Sequence, residues 1–332
     1  MYLNAAIIGL GIGEAHLKSL KKNRFIKKIK IFDKKISKAQ FFSKKYAVEK
    51  CDNINEIFND KNIDLICIAS NDEDHFKHIH KSLISGKHVF VEKPALLSNI
   101  QAEKTLKILK KNKNLFFYTN HILRKSERFI KIKTIINQRK LGKIYYFEGD
   151  YNYGRIKKIT NGWRGKIKNY SITLGGGIHI IDLMNFFLNK KVYEIKSYAN
   201  NLVTKNSKFK NYDFIVSILK LEDNTIAKIT SNFGCVYPHF HKLNIYGTKG
   251  TFENEYEFGK IFKRRDNQNF TKISNKYKPL NKGLLLDDFV YSIIKNKNRN
   301  KYIKEVFDCL SICFAINKSV STNKTIKVKY II

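Results

Sequence analysis

Residues 3–13 read Leu3-Asn4-Ala5-Ala6-Ile7-Ile8-Gly9-Leu10-Gly11-Ile12-Gly13, and residues 29–33 read Ile29-Lys30-Ile31-Phe32-Asp33. The apolar run that begins at Tyr2 and ends at Ile8 predicts a short buried strand. The glycine-rich segment predicts a turn into a helix, and the second run predicts another strand that ends in a carboxylate. A strand, a glycine turn, a helix and a strand in this order are typical of a dinucleotide-binding unit. The stretch therefore predicts an α/β fold built around that unit.

The residues of this turn are candidates for binding the cofactor. They are Gly9, Leu10, Gly11, Ile12 and Gly13. Glycines let the backbone approach a pyrophosphate, and the following helix presents free N–H groups and the positive end of its dipole. Asp33, at the end of the second strand, is placed to accept hydrogen bonds from the adenosine ribose, and its charge would repel a 2′-phosphate. We therefore predict that the cofactor is NAD rather than NADP.

The glycine pattern also has a simpler interpretation. Its sixth position holds Glu14, where the fingerprint has Gly or Ala, and its third glycine stands one place early. An ordinary strand-to-helix turn of an α/β protein would explain the same residues. The strand before the turn, the helix after it and the acidic residue that ends the next strand favour dinucleotide binding.

The chain is strongly basic, because 64 Lys and Arg residues against 28 Asp and Glu residues give a formal charge of +36. Such a charge is typical of proteins that bind nucleic acid or an anionic surface. The lysines are scattered along the whole chain rather than gathered in one segment, so we predict no nucleic-acid partner. An anionic small-molecule substrate would still be attracted by this charge.

The apolar and cysteine content predicts a globular cytoplasmic protein. Hydrophobic residues make up 43% of the 332 residues, which suffices for two domains with cores of their own. The five cysteines show neither a Cys-x-x-Cys pair nor the spacing of a zinc site, so we predict free thiols in a reducing compartment. No apolar run approaches the roughly 20 residues of a membrane span, and we predict no membrane partner.

The hydrophobic period changes in the middle of the chain. Up to about residue 120, short apolar strands alternate with helices, and residues 1–120 are predicted to form a Rossmann domain with a doubly wound parallel sheet. From Lys143 onward longer strands follow, most of them alternating between polar and apolar residues. This pattern is typical of an antiparallel sheet with one covered face. Residues 121–332 are therefore predicted to form a second domain of the α+β class.

Polar side chains follow two of the apolar strands in the first domain. They are Ser70, Asn71 and His75 after the strand 63–69, and Glu92 and Lys93 after the strand 88–91. Ligands of open α/β sheets bind beyond the carboxyl ends of the strands, so these residues are candidates for cofactor binding. Pro94 restricts Lys93 to an extended backbone, which would aim its ammonium group at the ligand. For Ser70 and Asn71 a helix N-cap is an equally good explanation.

Four motifs stand in order along the chain. They are Gly9-Leu10-Gly11-Ile12-Gly13, Glu92-Lys93-Pro94, Gly177-Ile178-His179-Ile180-Ile181-Asp182 and Gly247-Thr248-Lys249-Gly250. Together they resemble the Gfo/Idh/MocA oxidoreductases, over essentially the whole chain. The resemblance implies an N-terminal Rossmann domain and a C-terminal domain with a large, mostly antiparallel sheet. It also implies NAD- or NADP-dependent oxidation or reduction of a carbinol on a sugar, cyclitol or nucleotide-linked sugar.

The resemblance implies two catalytic residues. Lys93 matches the family lysine that contacts nicotinamide and substrate, and His179 matches the family histidine near the reacting hydroxyl. Histidine, with an ordinary pKa near ~6.5, is the natural base at neutral pH, whereas lysine, near ~10.4, suits the stabilisation of a developing alkoxide. Many members carry Asp four residues before this histidine, and here the position is Gly175. Either Lys93 and His179 suffice or the proton takes another path, and the glycine would leave room for a bulky substrate.

Further residues are candidates for binding the substrate. They are Asn120, Arg124, Trp163, Arg164 and Asp182, with Tyr153 as a weaker candidate. Aromatic and guanidinium groups suit a sugar ring, a phosphate or a carboxylate, although a packed Trp and a solvated Arg would explain the same residues nearly as well. His239 and His241 have no carboxylate nearby at metal-ligand spacing, so no metal is assigned.

These observations predict an NAD-dependent dehydrogenase of a sugar or cyclitol, with an anionic or nucleotide-linked substrate also allowed. We expect a homo-oligomer formed through the C-terminal sheet. The alternative is a redox-silent relative that binds dinucleotide or sugar as a sensor or as an interaction protein, and the missing aspartate motivates it. The presence of Lys93 and His179 argues against this alternative, because a sensor needs neither residue.

Overall fold

The computed structural model describes residues 1–278 and 281–332, which form two compact units. Unit 1 comprises Met1–Ile122, the described part of Leu280–Asp308, and Ile331–Ile332. Unit 2 comprises the described part of Leu123–Pro279 together with Cys309–Tyr330. The sequence predicted a single boundary at residue 120, whereas in the structure residues 281–308 pack with unit 1. That unit therefore draws on separate segments that lie far apart in the chain.

Unit 1 is built on a parallel sheet. Its described strands are β1 (Leu3–Ile8), β2 (Ile26–Phe32), β3 (Glu49–Lys50), β4 (Leu65–Ile68), β5 (His88–Val91) and β6 (Phe117–Thr119). They lie in the order β3-β2-β1-β4-β5-β6, and all neighbours are parallel. Nearly all residues of the central strands β1 and β4 are buried, as expected for strands covered on both faces. The strand order reverses between β1 and β4, and ligands bind beyond such a switch point.

Helices follow most of these strands. The α-helices of the described residues are α1 (Gly13–Lys22), α2 (Ile36–Tyr46), α3 (Ile54–Asn59), α4 (Asp72–Ile84), α5 (Asn99–Lys111), α6 (Glu127–Asn137), α7 (Lys157–Thr160), α8 (Ile178–Leu188), α9 (Leu284–Ile294) and α10 (Arg299–Thr322). A π-helical turn at Thr173–Gly177 directly precedes α8. Of the helices just named, none has the length and apolar composition that crossing a membrane requires.

The late helix α9 belongs to unit 1 because its apolar face completes the core of that unit. The ring of Phe289 lies 5.6 Å from that of Phe90 and 6.3 Å from that of Phe116, measured between centroids. Ser19 of α1 donates a hydrogen bond of 3.0 Å to the carbonyl of Gly283, just before α9. The sequence could not predict that this late helix packs in unit 1, because that packing depends on which apolar faces meet in three dimensions.

Unit 2 is built on a large sheet that is mostly antiparallel. Its described strands are β7 (Ile144–Asn152), β8 (Val192–Asn200), β9 (Phe214–Leu221), β10 (Ile226–Asn232), β11 (Phe240–Gly247), β12 (Gly250–Asn254), β13 (Gly259–Phe262), β14 (Phe270–Ile273) and β15 (Ile326–Lys327). They lie in the order β14-β13-β12-β11-β7-β10-β9-β8-β15, with β7 and β10 as the parallel pair. The two sheets confirm the predicted fold class. The sequence did not predict β12, β13 and β14, because they are short and polar turns separate them.

Candidate functional site

The glycine turn after β1 contains two glycines that the packing requires and one that is open. Gly9 has a φ of +90°, and a Cβ atom there would lie 2.6 Å from the carbonyl oxygen of Ala69. A Cβ atom on Gly13 would lie 3.0 Å from the side chain of Ile7. A Cβ atom on Gly11 would meet no described atom within 4 Å. The first and third glycines thus allow the turn to pack against the sheet. The open side of Gly11 leaves room for a pyrophosphate to come close to the backbone.

The start of α1 suits the same ligand. Ile12 is the N-cap residue of this helix, and its side chain makes no capping hydrogen bond. The first N–H groups of α1 are therefore not satisfied by a cap, and they lie at the positive end of the helix dipole. Together with the open side of Gly11, this end of the helix fits the phosphates of NAD.

Glu14, the departure from the glycine fingerprint, has a structural explanation. Its carboxylate oxygen accepts a 2.5 Å hydrogen bond from the hydroxyl of Tyr46 and lies 3.1 Å from the ammonium of Lys45. These two hydrogen bonds lower the pKa of Glu14 to about 2, although burial acts in the opposite direction. The acidic side chain thus ties the first turn of α1 to the end of α2, where Tyr46 and Lys45 lie.

Asp33 follows β2 and lies against the glycine turn. One of its carboxylate oxygens accepts a 2.8 Å hydrogen bond from the backbone N–H of Leu10. The other accepts a 3.0 Å hydrogen bond from the backbone N–H of Lys35. The ammonium of Lys38 lies 3.6 Å away. Asp33 therefore fixes the turn and places a negative charge beside it, at the position from which a carboxylate can bind a ribose.

The residues after β4 divide into supporting and exposed ones. His75 is fully buried, and its ring nitrogens lie 2.7 Å from the carbonyl oxygen of Pro94 and 3.1 Å from that of Ser70. His75 thus links the segments that follow β4 and β5, and its contact with the cofactor stays a prediction. Asn71, the N-cap residue of α4, is exposed and makes no capping hydrogen bond with its side chain, so it stays a candidate for the cofactor.

Ser70 contacts a second buried imidazole. Its hydroxyl lies 3.0 Å from Nδ1 of His78. Burial lowers the pKa of His78 to about 4, so this ring is neutral at neutral pH and one of its nitrogens can accept a hydrogen bond. The hydroxyl of Ser70 is thereby engaged in holding the start of α4, and a direct contact of Ser70 with the cofactor stays a prediction.

A hydrogen-bonded network braces the segment after β5. The same carboxylate oxygen of Glu92 lies 2.9 Å from Nε2 of His16 and 2.7 Å from Nδ2 of Asn120. Burial raises the pKa of Glu92, but the bonds from His16 and Asn120 and the charge of Lys93 outweigh it and lower this pKa to about 2. Asn120 also donates a 3.0 Å hydrogen bond to the carbonyl of Lys282. Glu92 and Asn120 thus support the segment that carries the half-buried Lys93, and their contacts with cofactor and substrate stay predictions.

In unit 2, α8 places His179 in a cluster of aromatic rings. The imidazole stacks on Tyr151, with centroids 5.9 Å apart and an interplanar angle of 24°. It meets His241 edge to face at 5.7 Å, and Tyr151 meets His239 at 5.4 Å. His179 itself is half-buried. The cluster combines ring nitrogens, which can move a proton, with aromatic faces that suit the apolar side of a sugar ring.

Tyr277 holds His241 in one orientation. The backbone N–H of His241 donates a 2.9 Å hydrogen bond to the hydroxyl of Tyr277, and the same hydroxyl is hydrogen-bonded to Nδ1 of the His241 ring. The hydroxyl of Tyr277 is thus bonded to both the backbone and the ring of His241, which fixes the orientation of this imidazole. Burial raises the pKa of Tyr277, so its hydroxyl keeps its proton. Burial and the charge of Arg155 lower the pKa of His239 to about 4, so this ring is neutral.

The sequence did not identify Tyr151, His241 and Tyr277 as candidates. A signal was present, because Tyr151 and Tyr153 at the end of β7, and His239 and His241 at the start of β11, are each two residues apart, which is the spacing of side chains on one face of an extended segment. The sequence could not show that β7 and β11 are paired neighbours, with His241 opposite Tyr151. This pairing brings the two polar-aromatic faces together.

Arg124 and Asp182, both predicted to bind substrate, bind each other within unit 2. Nε and Nη2 of Arg124 lie 3.0 Å and 2.7 Å from the same carboxylate oxygen of Asp182. Their side chains are only 10% and 2% exposed. A buried, multiply hydrogen-bonded pair of this kind fixes the segments that carry it. The pair therefore has a structural role in unit 2, and a contact of either residue with the substrate stays a prediction.

Trp163 and Arg164 form a pair of their own. The guanidinium of Arg164 lies 4.4 Å from the centroid of the Trp163 ring, and both side chains are half-buried. This cation–π contact orders the two side chains next to each other. A contact of either residue with the substrate stays a prediction.

The glycines before α8 are tightly packed. A Cβ atom on Gly175 would lie 2.5 Å from the ring carbon Cζ of Tyr170, and a Cβ atom on Gly176 would lie 2.6 Å from Cδ1 of Tyr151. The expectation that Gly175 leaves room for a bulky substrate is therefore wrong, because the side chain of Tyr170 fills that space.

The parallel sheet with its glycine turn is typical of a dinucleotide-binding domain, and a second unit built on a large sheet accompanies it. Residues 3–121 match the profile of an oxidoreductase family with an NAD-binding Rossmann fold. Residues 129–253 match the profile of the GFO/IDH/MocA C-terminal domain. The chain belongs to the Gfo/Idh/MocA family of oxidoreductases, which confirms the resemblance seen in the motifs.

Characterised relatives carry names that describe one reaction class. The chain is 24% identical over 258 residues to an inositol 2-dehydrogenase of Salmonella typhimurium. The matched region covers 76% of this chain and 74% of the relative. It is 23% identical over 257 residues to a myo-inositol 2-dehydrogenase of Thermotoga maritima, spanning 75% of this chain and 74% of that one. The chain is thus an NAD-dependent dehydrogenase acting on CH–OH groups.

Solved structures share the fold over the whole chain. The myo-inositol 2-dehydrogenase of Lactobacillus plantarum has a TM-score of 0.83 at 21% identity and covers 99% of this chain and 100% of its own. The scyllo-inositol dehydrogenase of Lactobacillus casei, with bound NAD(H) and scyllo-inositol, has a TM-score of 0.80 at 19% identity. The match covers 98% of this chain and 99% of that enzyme. A levoglucosan dehydrogenase in complex with NADH and levoglucosan has a TM-score of 0.85 at 15% identity and covers 99% and 100%.

Proposed function

We propose that this protein oxidises a ring carbinol of a cyclitol or sugar, with NAD as the acceptor. The observation that carries the proposal is the cluster around His179. Tyr151 and His241 contact this half-buried imidazole, and His239 packs against Tyr151, so the cluster combines aromatic faces with groups that donate and accept hydrogen bonds. Polyhydroxylated rings need both kinds of contact, apolar faces for the C–H surface and polar groups for the hydroxyls. The names of the relatives support a cyclitol as the first candidate.

We assign the binding of NAD to unit 1. Gly11 and the start of α1 would hold the pyrophosphate, and Asp33 would accept hydrogen bonds from the ribose hydroxyls. Bound NAD supplies the hydride acceptor for the carbon that is oxidised. Because Asp33 is negatively charged and lies against the turn, we expect a 2′-phosphate to be disfavoured. Lys34 and Lys35 stand next to Asp33 in the chain and would moderate this preference.

We assign the proton chemistry to Lys93 and His179. His179 would take the proton of the substrate hydroxyl, as a neutral imidazole can do near neutral pH. Lys93 would stabilise the negative charge that develops on the oxygen. The bracing of Glu92 by His16 and Asn120 supports this role, since it fixes the residue that directly precedes Lys93.

Two arginines support a substrate that carries an anionic group. The guanidinium of Arg155 lies 4.6 Å from the ring centroid of Tyr153. Burial raises the pKa of Tyr151, and the positive charges of Arg155 and Arg164 act in the opposite direction. These charges would strengthen the binding of a phosphorylated or nucleotide-linked ring, whereas they would not strengthen the binding of a neutral cyclitol.

We also propose a homo-oligomer formed through the sheet of unit 2 and a cytoplasmic location. The five cysteines are free thiols, which supports a reducing compartment. An exposed apolar strip on β8 and β9 supports association through the sheet, and its test is described below.

A substrate screen tests the function. The protein would be incubated with NAD or NADP and with myo-inositol, scyllo-inositol, free hexoses, hexose phosphates or nucleotide-linked hexoses, and the absorbance of reduced nicotinamide would be followed. We expect turnover with at least one cyclitol or sugar, and a higher kcat/KM with NAD than with NADP. Preference for phosphorylated rings would identify the anionic version of the substrate.

The same measurements decide between an enzyme and a redox-silent relative. NAD binding measured by calorimetry, without turnover of any compound in the screen, would favour the sensor or interaction protein. Turnover that equals that of a His179→Ala variant would also contradict the proposed chemistry.

A further inference from the structure

The space beside Gly175 is occupied by a single side chain. A Cβ atom at this position would lie 2.5 Å from Cζ of Tyr170 and 3.1 Å from its Cε1, and it would be closest to the hydroxyl oxygen. The backbone of Gly175 lies outside the left-handed region, so its conformation alone would permit other residues. The hydroxyl group of Tyr170 therefore stands where a side chain of residue 175 would begin.

Tyr170 is held firmly in this position. Its ring meets Phe209 edge to face at 6.0 Å and Phe233 at 6.4 Å, with interplanar angles of 69° and 66°. Both phenylalanines are fully buried, and Tyr170 is only 8% exposed. Because two buried rings pack against the phenol, its hydroxyl has little freedom to leave the space beside Gly175.

Gly175, the residue beside this hydroxyl, lies one helical turn before His179. Residues four apart on a helix share a face, with Cβ atoms about 5–6 Å apart. Gly175 lies in the π-helical turn that leads directly into α8, and single π-helical turns inside helices are frequent at functional sites. Position 175, where the hydroxyl of Tyr170 takes the place of a side chain, therefore shares a face of the helical segment with His179.

We infer that Tyr170 is a positioning residue for His179, an inference that rests on the proposed role of His179 as the base. A catalytic imidazole generally needs a second group that orients the ring and fixes its tautomer through the nitrogen that does not face the substrate. A hydroxyl can fill this role, because it both donates and accepts hydrogen bonds. Gly175 makes the role possible, because any larger residue there would displace the phenol.

The inference has an electrostatic consequence. A carboxylate beside an imidazole favours the protonated ring and raises its pKa, whereas a neutral phenol does so far less. Replacing the phenol by a carboxylate at position 175 should therefore raise the pKa of His179 by about 1 unit or more. The acidic limb of the pH profile of kcat/KM should move to higher pH by the same amount.

Four variants test the inference against the wild type: Tyr170→Phe, Gly175→Asp, the double variant Tyr170→Ala/Gly175→Asp, and the control Tyr302→Phe. Tyr302 is a buried tyrosine of unit 1 whose hydroxyl lies 2.9 Å from that of Ser292. The measurements are kcat and KM against pH with the best substrate of the screen, and NMR titration of histidine-labelled protein without substrate.

We expect Tyr170→Phe to lower kcat about tenfold, with the KM for NAD unchanged, and to shift the His179 titration. Gly175→Asp alone should fold poorly because the new side chain collides with Tyr170. The double variant should fold, recover part of kcat and titrate His179 at higher pH. Tyr302→Phe should change neither kcat nor the titration.

The inference is overturned if Tyr170→Phe leaves both kcat and the His179 titration unchanged. It is also overturned if a folded double variant titrates His179 at the wild-type pH. A wild-type protein that oxidises no compound of the screen would refute the proposed substrate class instead, while the NMR titrations would still decide the role of Tyr170.

Discussion

At the scale of single residues, the glycines of one turn serve different purposes. Gly9 has a positive φ and faces the backbone after β4, whereas Gly11 has no described neighbour on its open side. We predict that Gly11→Val blocks NAD binding, with a dissociation constant raised roughly tenfold or more, and leaves the melting temperature close to that of the wild type. Gly9→Val should lower the melting temperature sharply, because the new side chain collides with Ala69.

Calorimetric titration with NADH and thermal melts of both variants check this prediction. Normal NADH binding by Gly11→Val would show that the turn is structural only. A stable Gly9→Val would contradict the packing seen around Ala69.

The two predicted catalytic residues allow a second test at this scale. We expect Lys93→Ala and His179→Ala each to lower kcat by about 10²–10⁴-fold while NAD binding survives, because a positioned acid–base group contributes about that much. Lys93→Ala should slow both directions of the reaction, since its charge stabilises the alkoxide either way. His179→Ala should flatten the acidic limb of the pH–rate profile for oxidation, because an imidazole that has gained a proton cannot act as a base.

Steady-state kinetics from pH 5 to 10, with NADH titrations of each variant, provide the measurement. If His179→Ala kept its rate and its acidic limb, His179 would not be the base, and Lys93 would be left as the candidate. Two fully active variants would show that the reacting groups lie elsewhere.

At the scale of secondary-structure elements, the bond between Glu92 and His16 ties the end of β5 to α1. Because the pKa of Glu92 falls from its usual 4.5 to about 2, the ionised carboxylate stabilises the fold above pH 4.5, and this stabilisation is lost as the pH falls from about 4.5 to about 2. A shift of this size corresponds to about 3 kcal/mol. We predict that Glu92→Gln is less stable than the wild type by about that amount at pH 7, and that the difference shrinks between pH 4.5 and pH 3.

Urea unfolding at pH 7, 4.5 and 3 measures the difference. Glu103→Gln, on the exposed side of α5 in the same unit, is the matched control and should show no difference at any of these pH values. A Glu92→Gln variant that stays less stable by the same amount at pH 3 would mean that lost packing, and not lost charge, explains the effect.

Another element-scale feature is the start of α8. Three consecutive glycines let the helical segment approach side chains that a Cβ atom would strike, among them Tyr170, Tyr151 and Ser231. This close approach places His179 among the rings of β7 and β11. The glycines that the sequence showed as a motif thus act through packing, as Gly9 and Gly13 do in unit 1.

At the scale of the whole molecule, one face of the unit 2 sheet exposes apolar side chains. Tyr198 of β8 lies opposite Val216 of β9, and Ile218 is the next outward residue on β9. Tyr198 is 61% exposed and Ile218 is 47% exposed. Adjacent exposed apolar residues on a sheet are typical of an interface, and a second copy of the chain is the partner we expect. We predict that Tyr198→Asp/Ile218→Asp lowers the particle mass by dissociating the oligomer.

Light scattering after size exclusion measures the mass of the wild type and the variant. Ile84→Asp is the matched control, since Ile84 is an exposed apolar residue at the end of α4 in unit 1 and should not affect association. A wild type with the mass of one chain would refute the predicted oligomer. An unchanged mass in the double variant would move the interface to another surface.

Much of the fold could be predicted from periodicity. The continuous apolar runs of β1, β4 and β5 are confirmed as central parallel strands, and the alternating segments are confirmed as β7 to β10 of the second sheet. The strands β12 to β14 were missed because four or five residues between polar turns give too short a pattern. The packing of residues 281–308 with unit 1 was not predicted, because the sequence of an apolar helix face does not show which of two cores the helix will join.

The sequence by itself determined the class of the fold and the candidates for its chemistry. The glycines of the turn and the acid after β2 stand where a dinucleotide needs them, and the resemblance to the family makes Lys93 and His179 the catalytic candidates. Only the tertiary structure decided what surrounds them: the pair of Arg124 with Asp182, the brace on Glu92, and Tyr170 in the space beside Gly175. These are contacts between residues far apart in the chain or on neighbouring strands and turns. Their formation depends on the register and packing of whole elements, which no local pattern encodes.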